Sequence, residues 1–382
     1  MDNKDYQICK NCVMDTSDSK IIFDEEGVCE HCTNFYNNIQ NTWKTALNSS
    51  REKKLKNIAA EIKKKGKVNK YDCIIGISGG TDSSYMLHYI VTELKLRPLV
   101  FHVDGGWNSK SAVSNIHNMV NALNIDLHVK VIDWEEMRLL QLAYFKSGIS
   151  NIDTPQDQAF IATLYHYANK NNIKYIFNGG NISTENVRMP LEWMYFTTDL
   201  RLLKDIVMKY IGRPLKKFEL SSALYHKFHL RFFRGIKVIK ALDYIPYVKE
   251  DAIKLLKSKY DFESFENKHT ESSFTKFYEG YWLPKRFGFD TRKLTYSSHI
   301  VTGQMTREEA IKKLNEPALT QLEIEKEFDF VAKKLRISTN DLKAYLNTPI
   351  KTYKDFKNIS NIFKLATIAF KLFKADTSGT RR

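Results

Sequence analysis

Long apolar runs are missing from this 382-residue chain. No stretch of about 18 apolar residues occurs, so no membrane-spanning helix is expected. The first residues, MDNKDYQICKNC, are polar and mixed in charge and lack the apolar core of an export signal, which makes the cytoplasm the expected compartment. Cysteine is scarce: there are five, four of them in two close pairs. In a chain without an export signal that usage reads as metal ligation and argues against a disulfide framework. Internal repeats and low-complexity tracts are absent. Acidic residues are in deficit, 44 against 59 Lys and Arg, which gives a net charge of +15 and a pI near 9.3. That excess calls for an anionic partner, whether nucleotide, nucleic acid, phosphorylated sugar or membrane surface. What the chain does have is 43% hydrophobic and 13% aromatic residues, enough for a sizeable core and incompatible with wholesale disorder.

The length suits one large domain or two ordinary ones with attachments. Residues 1–40 carry the cysteine pairs and short strand-like runs such as Lys20–Phe23. Residues 41–70 read as a basic, solvated amphipathic linker helix, with Leu55, Ile58, Ala59 and Ile62 at helical spacing. From 71 to 200, short apolar strands at Cys73–Ile77, Pro98–Val103, His128–Ile132 and Lys174–Phe177 alternate with helices over 83–94, 110–124 and 156–171. That alternation implies a parallel sheet with right-handed crossovers, whose ligands bind at the carboxyl ends of the strands. Three strands end there in glycine-rich or polar loops. Residues 201–382 are basic, aromatic and mainly helical. In the tail 359–374, Ile359, Ile362, Phe363, Ala366, Phe370 and Phe373 share one helical face. Packing against the body or a partner is expected of it, with membrane-surface binding as the alternative.

Cys9-x-x-Cys12 and Cys29-x-x-Cys32 form two knuckles. A two-residue gap turns both thiolates of a pair toward one ion, and two such pairs complete a tetrahedral zinc site closed to reacting groups. Zinc binding would couple to folding of this small module. His31 lies inside the second knuckle as a less favoured substitute ligand, and Cys73 reads as a small buried strand residue.

The loop Ser78-Gly79-Gly80-Thr81-Asp82-Ser83-Ser84 joins a strand to a helix. Its glycines let backbone amides approach an anion, the following helix points its positive end there, and Asp82 supplies a carboxylate for magnesium. It lacks the lysine of the γ-phosphate loop and the spacing of the dinucleotide fingerprint. The heptapeptide resembles the S-G-G-x-D-S-S signature of PP-loop ATP pyrophosphatases, which hold ATP by its pyrophosphate and cleave between the α and β phosphates. The resemblance implies an α/β fold: a parallel-sheet PP-loop domain (adenine nucleotide alpha hydrolase-like) with an N-terminal zinc-ribbon-like module and a C-terminal helical portion. It also maps adenosine contacts onto Val103, Asp104 and Gly105, and a closing loop onto Asn178, Gly179, Gly180 and Asn181.

Within that superfamily the order of the cysteine pairs, the loop, and the segments Leu242–Tyr247, Lys268–Phe274, Tyr281–Gly288 and Ser297–Glu309 resembles the N-acetyl sugar amidotransferase family of lipopolysaccharide O-antigen and related glycan pathways. Likeness to this family implies an ATP- and magnesium-dependent conversion of the acetamido group of a nucleotide-linked sugar to an acetamidino group. Ammonia would come from separate glutaminase and channel subunits, since no glutaminase module is recognisable in this chain. Ser78, Asp82, Lys268, Lys285 and Glu185 form the expected catalytic set, and Arg286 joins the phosphate cage. Arg188 and Trp193 are candidates for the sugar nucleotide, and His269 and Glu271 for proton transfer. Nucleic acid is not the expected partner. A PP-loop tRNA-modifying enzyme of the lysidine-synthetase or thiolase type is the main rival, on the strength of the charge and the zinc module. The other rival is a nucleotide-binding scaffold without catalysis.

Overall fold

The computed structural model describes residues 6–265 and 268–362; the expected tail face from Phe363 onward lies outside the described residues. Five strands, β1 (Cys73–Gly76), β2 (Pro98–Asp104), β3 (Leu127–Val131), β4 (Tyr175–Phe177) and β5 (Lys237–Ile239), form one sheet in the order β3-β2-β1-β4-β5. Every neighbouring pair is parallel. The central strands are rich in Ile, Val and Phe because helices cover both faces. Successive side chains alternate between two cores: Ile74 and Ile176 point into one, Ile75 and Phe177 into the other. The edge strands β3 and β5 are more exposed and carry Lys130 and Lys237, which discourages pairing with another chain.

The sheet extends past residue 200, where the sequence pattern places a helical portion: β5 adds beside β4. Strand order reverses at β1, since the chain first moves outward through β2 and β3 and then returns to the other side with β4 and β5. The loops after β1 and β4 therefore diverge across a crevice at the carboxyl edge, the position where open parallel sheets bind ligands.

The helix Glu52–Lys65 is amphipathic as expected but is not a free-standing linker. Leu55, Ala59 and Ile62 are buried in the core that also holds Ile75, while the lysines face out. The helix closes one face of the sheet. The N-terminal module packs through Cys12, Met14, Phe35 and Trp43 onto Val187, Trp193, Leu294 and Val301, so its small core is shared with the rest of the chain. The strand-like run at Lys20–Phe23 reduces to a single bridge between Phe23 and Cys29. Among the described residues no helix is long and apolar enough to cross a membrane.

Candidate functional site

The loop after β1 is built by close approaches that only glycine allows at two points. Gly79 has a φ of +83°, and a Cβ there would lie 2.4 Å from the Ala112 carbonyl oxygen. A Cβ on Gly80 would lie 2.8 Å from a Glu271 carboxyl oxygen. Serine hydroxyls hold the turn: the Ser78 amide donates to Ser83 Oγ at 3.3 Å, and the Gly80 amide donates to Ser78 Oγ at 3.3 Å. The helix Thr81–Thr92 starts directly from the loop with no side-chain cap, so the first-turn amides of Thr81, Asp82 and Ser83 remain available at its positive end. Ser84 Oγ is buried without a hydrogen-bond partner. An uncapped helix end, a glycine turn and an orphaned hydroxyl fit a phosphate group better than they fit a finished structural turn.

Asp82 anchors the site. Its Oδ2 accepts from Asn181 Nδ2 at 3.1 Å and from Thr184 Oγ1 at 3.2 Å, and its Oδ1 accepts from the Tyr247 hydroxyl. Lys268 Nζ lies 3.1 Å from Asp82 Oδ2 and 2.6 Å from Glu185 Oε1, and donates to Thr184 Oγ1 at 2.7 Å. Burial pushes the Asp82 carboxyl up, but the Lys268 ammonium and the Tyr247 hydroxyl outweigh it and hold the carboxyl below its ordinary range. The loop after β4 closes from the side: a Cβ on Gly179 would meet the Ser83 amide at 3.2 Å, and one on Gly180 would meet Glu185 at 3.1 Å. Asn181 caps the short helix Ile182–Glu185 by accepting from the Thr184 amide at 2.9 Å.

Around this knot lie further titratable groups. Burial drives the Lys249 ammonium down. His299 is pushed down to about 4 by burial and by the cations Lys249 and Lys268, and its Nε2 is buried without a partner. Burial raises the Glu271 carboxyl, which lies against Gly80. Gln304 Nε2 donates to Ser183 Oγ at 2.8 Å, joining the segment after the helix Arg292–Val301 to the wall of the site.

The four N-terminal cysteines converge. All four sulfurs lie within 4.8 Å of one another, with Cys9–Cys32 at 4.0 Å, Cys12–Cys29 at 3.6 Å and Cys29–Cys32 at 3.8 Å. A tetrahedral Zn–S₄ centre with bonds of about 2.3 Å has sulfur–sulfur edges of about 3.8 Å, so the cage fits zinc. Backbone amides of Asn11, Cys12, Met14 and Cys29 donate to these sulfurs, as thiolates require. His31 points instead at Asp18, 3.3 Å away.

The structure brings together Ser78–Ser84, Asn178–Asn181, Glu185, Lys268 and Glu271. Val103, Asp104 and Gly105 end the adjacent strand, where Asp104 Oδ1 accepts from the Gly106 amide at 2.8 Å and from Asn108 at 3.1 Å. Arg286 does not join the cage: its guanidinium donates to the Tyr345 carbonyl and to the Thr348 carbonyl at 2.8 Å. Lys285 is exposed on the same short helix, with no contact to the loop among the described residues. Trp193 is wholly buried, stacked on Phe289 at 5.2 Å and donating to the Ser17 carbonyl, which makes it a packing residue of the cysteine module rather than a sugar contact. Arg188 is exposed. Sequence reasoning gives no role to Tyr247, Thr184, Lys249 or His299. Tyr247 and His299 lie within segments that carry the family resemblance, which is the signal that could have found them.

Fold and site together define a class: a parallel α/β protein with a glycine- and serine-rich loop and a carboxylate at its topological switch point, joined to a four-cysteine module whose cage fits zinc. Residues 271–369 match the family model described as LPS biosynthesis protein WbpG-like, C-terminal domain. The uncharacterized protein MJ1599 of Methanocaldococcus jannaschii is 26% identical over 175 residues, 45% of this chain and 58% of that protein, so the match spans less than two thirds of the relative's length. Among solved structures, the NH3-dependent NAD synthetase of Campylobacter jejuni is similar at 15% identity, covering 55% of this chain and 93% of that one with a TM-score of 0.28. The U34-tRNA thiolase NcsA of Methanococcus maripaludis, with its [4Fe-4S] cluster, is similar at 12% identity, covering 83% and 95% with a TM-score of 0.33. Overlaps at such scores assign no reaction.

Proposed function

We propose that this chain is an ATP-dependent, AMP-forming amidotransferase that converts the acetamido group of a nucleotide-linked N-acetyl sugar to an acetamidino group. The observation that carries the reading is the glycine loop at the β1–β4 switch point with Asp82, Glu185 and Lys268 tied into one knot at its edge. The match of the C-terminal quarter to an LPS biosynthesis family supports a sugar substrate.

In this reading the amides of Ser78–Ser84 grip the β,γ end of ATP, so substitution falls on the α-phosphorus. The substrate's amide oxygen attacks there and pyrophosphate leaves, which turns a poor leaving oxygen into AMP. Ammonia adds to the activated carbon, AMP departs, and C=NH replaces C=O. Asp82 and Glu185 are the carboxylates that would hold magnesium, which would supply charge neutralisation on the phosphates. Lys268 neutralises the same two acids and reaches the pyrophosphate side. Positioning dominates, since the chain need supply no covalent nucleophile. Ammonia comes from a separate glutaminase, and the four-cysteine site holds zinc structurally.

The test is incubation with ATP, magnesium, ammonium and UDP- or CMP-linked acetamido sugars. Mass spectrometry should show the sugar lighter by the difference between O and NH, with AMP and pyrophosphate formed in step. ADP and phosphate as products would overturn the reading. AMP formation that required tRNA and ignored the sugars would move the chain to the rival class.

A further inference from the structure

The segment that follows the expected nucleotide domain carries an apolar surface that includes none of the residues placed in the candidate site. A helical stretch runs from Leu224 through Phe232, a π-turn continued by an α-turn. Its inward side is anchored by Ala223, His226 and Leu230, all buried. Its outward side exposes Leu224 at 64%, Phe228 at 53%, Phe232 at 62% and Phe233 at 71%. Spacings of four residues keep Leu224, Phe228 and Phe232 along one side of the helix. Four large apolar side chains so exposed and so close form a patch that water disfavours.

The charge carried by this stretch of chain is one-signed. From Leu220 through Leu242 there is no Asp or Glu, while Lys227, Arg231, Arg234 and Lys237 fall in the same stretch; Lys240, further on, lies against Gly180 of the candidate site. Residues 231–235 are all exposed. The Arg231 guanidinium lies 5.6 Å from the centre of the Phe232 ring, so an arginine stem runs beside the apolar patch with its charged head at the rim.

We propose that residues 224–234 dock this protein onto an anionic lipid bilayer. Phenylalanine and leucine on the outward side, with arginine at the rim, are the composition that beds into the headgroup boundary of a negatively charged leaflet. A single-stranded nucleic acid fits less well: the rings of Phe228 and Phe232 pack on each other at 5.1 Å, Phe228 and Phe233 at 6.0 Å, and Leu224 offers no stacking face. An acidic protein partner would call for several hydrogen-bonding side chains within the patch, and among the described residues between its apolar side chains only His229, stacked on Phe233 at 5.6 Å, offers one.

The full-length protein is sedimented with vesicles of phosphatidylcholine alone and with about one-third phosphatidylglycerol. Binding to the anionic vesicles only, weakening as salt rises, is expected. The Phe228→Ser/Phe232→Ser/Phe233→Ser variant should partition at least about tenfold less. Arg231→Glu/Arg234→Glu, at exposed positions, should remove the preference for anionic lipid while keeping the thermal transition. A wild-type protein that stays in solution overturns the proposal, and so does a phenylalanine variant that binds as tightly as wild type, which would place the contact elsewhere, for instance in residues 363–382. Because no ATP or sugar is present, the result is independent of the reaction proposed above.

Discussion

Replacing Lys268 with Met removes, among the described residues, the one ammonium that touches both Asp82 and Glu185. The two carboxylates are bridged by contacts of 3.1 and 2.6 Å, and all three side chains are only 14–16% exposed. Their bridged oxygens are therefore at most about 5.7 Å apart, where two bare negative charges repel by about 3 kcal/mol at an effective dielectric near 20. Removing one partner from a buried pair costs about 3–5 kcal/mol by general experience, so a loss of about 3 kcal/mol at neutral pH is expected. The pH dependence has a definite sign. Burial raises the Asp82 carboxyl, but Lys268 and Tyr247 bring it net below its ordinary 3.8. A depressed carboxyl contributes stability above its unfolded pKa and loses it as pH falls through the folded value. The variant forfeits that contribution, so the difference should persist at neutral pH and close only as pH falls below 3.8, through the wild-type value. Urea unfolding across this range, with and without magnesium, measures the effect. Magnesium should stabilise the variant more than wild type, because a divalent cation can take the place of the missing ammonium. A difference below about 1 kcal/mol at pH 7, equal at both ends of the range, would match a surface ion pair and refute the reasoning.

Three other outcomes are expected. Cys29→Ser should release the metal, seen by elemental analysis, and lower the thermal transition, since metal binding and folding of the module are coupled; unchanged metal content would rule out the four-cysteine site. Arg286→Ala should cost about 1–3 kcal/mol by removing the guanidinium donor to the Thr348 carbonyl and one of the donors to the Tyr345 carbonyl, which keeps the Thr348 hydroxyl at 2.9 Å, yet leave the KM for ATP unchanged. Glu279, held up to about 8 by burial and then by Asp153, is stabilising in its protonated form and becomes a burden as pH rises from its ordinary 4.5 through 8. Glu279→Gln, which keeps the acceptor for Thr291, should match wild type near pH 5 and exceed it in stability by up to about 5 kcal/mol above pH 8, read by unfolding at the two pH values.

The loop was legible because its chemistry is contiguous: seven residues carry the glycines, the hydroxyls and the carboxylate, and local geometry turns them toward one point. The first four strands were legible for the same reason, as short apolar runs ending in polar turns. β5 was not, because Lys237-Val238-Ile239 is too short to show a period and becomes a strand only through pairing with β4. Arg286 and Lys285 looked like phosphate ligands by residue type and by nearness in sequence to Lys268. What a cation meets is set by the chain far away, and for Arg286 that is the turn at Tyr345–Pro349. Trp193 misled for a related reason: an aromatic after a catalytic loop suggests a sugar platform, but the cysteine module covers it. Lys249 carried no motif of its own and His299 was marked only by lying within Ser297–Glu309; the fold is what brings both within the electrostatic influence of Asp82.

The same fold ties the cysteine module to the candidate site. Arg307 donates to the backbone carbonyls of Cys9 and Cys12 at 3.0–3.1 Å, and Ser297 accepts from the Val13 amide at 3.3 Å. Both residues flank or lie in the segment whose Ser298 accepts from the Val187 amide at 3.1 Å and whose Gln304 bonds Ser183. Ser183 and Val187 bracket Thr184 and Glu185, which hold Asp82 and Lys268. A continuous set of short contacts thus runs from the cysteine cage to the carboxylate knot. An ion held by all four cysteines would have no open position for a substrate. By fixing the turn at Cys9–Cys12 it would fix the surface on which Arg307 and Ser297 rest, and through them the wall of the candidate site.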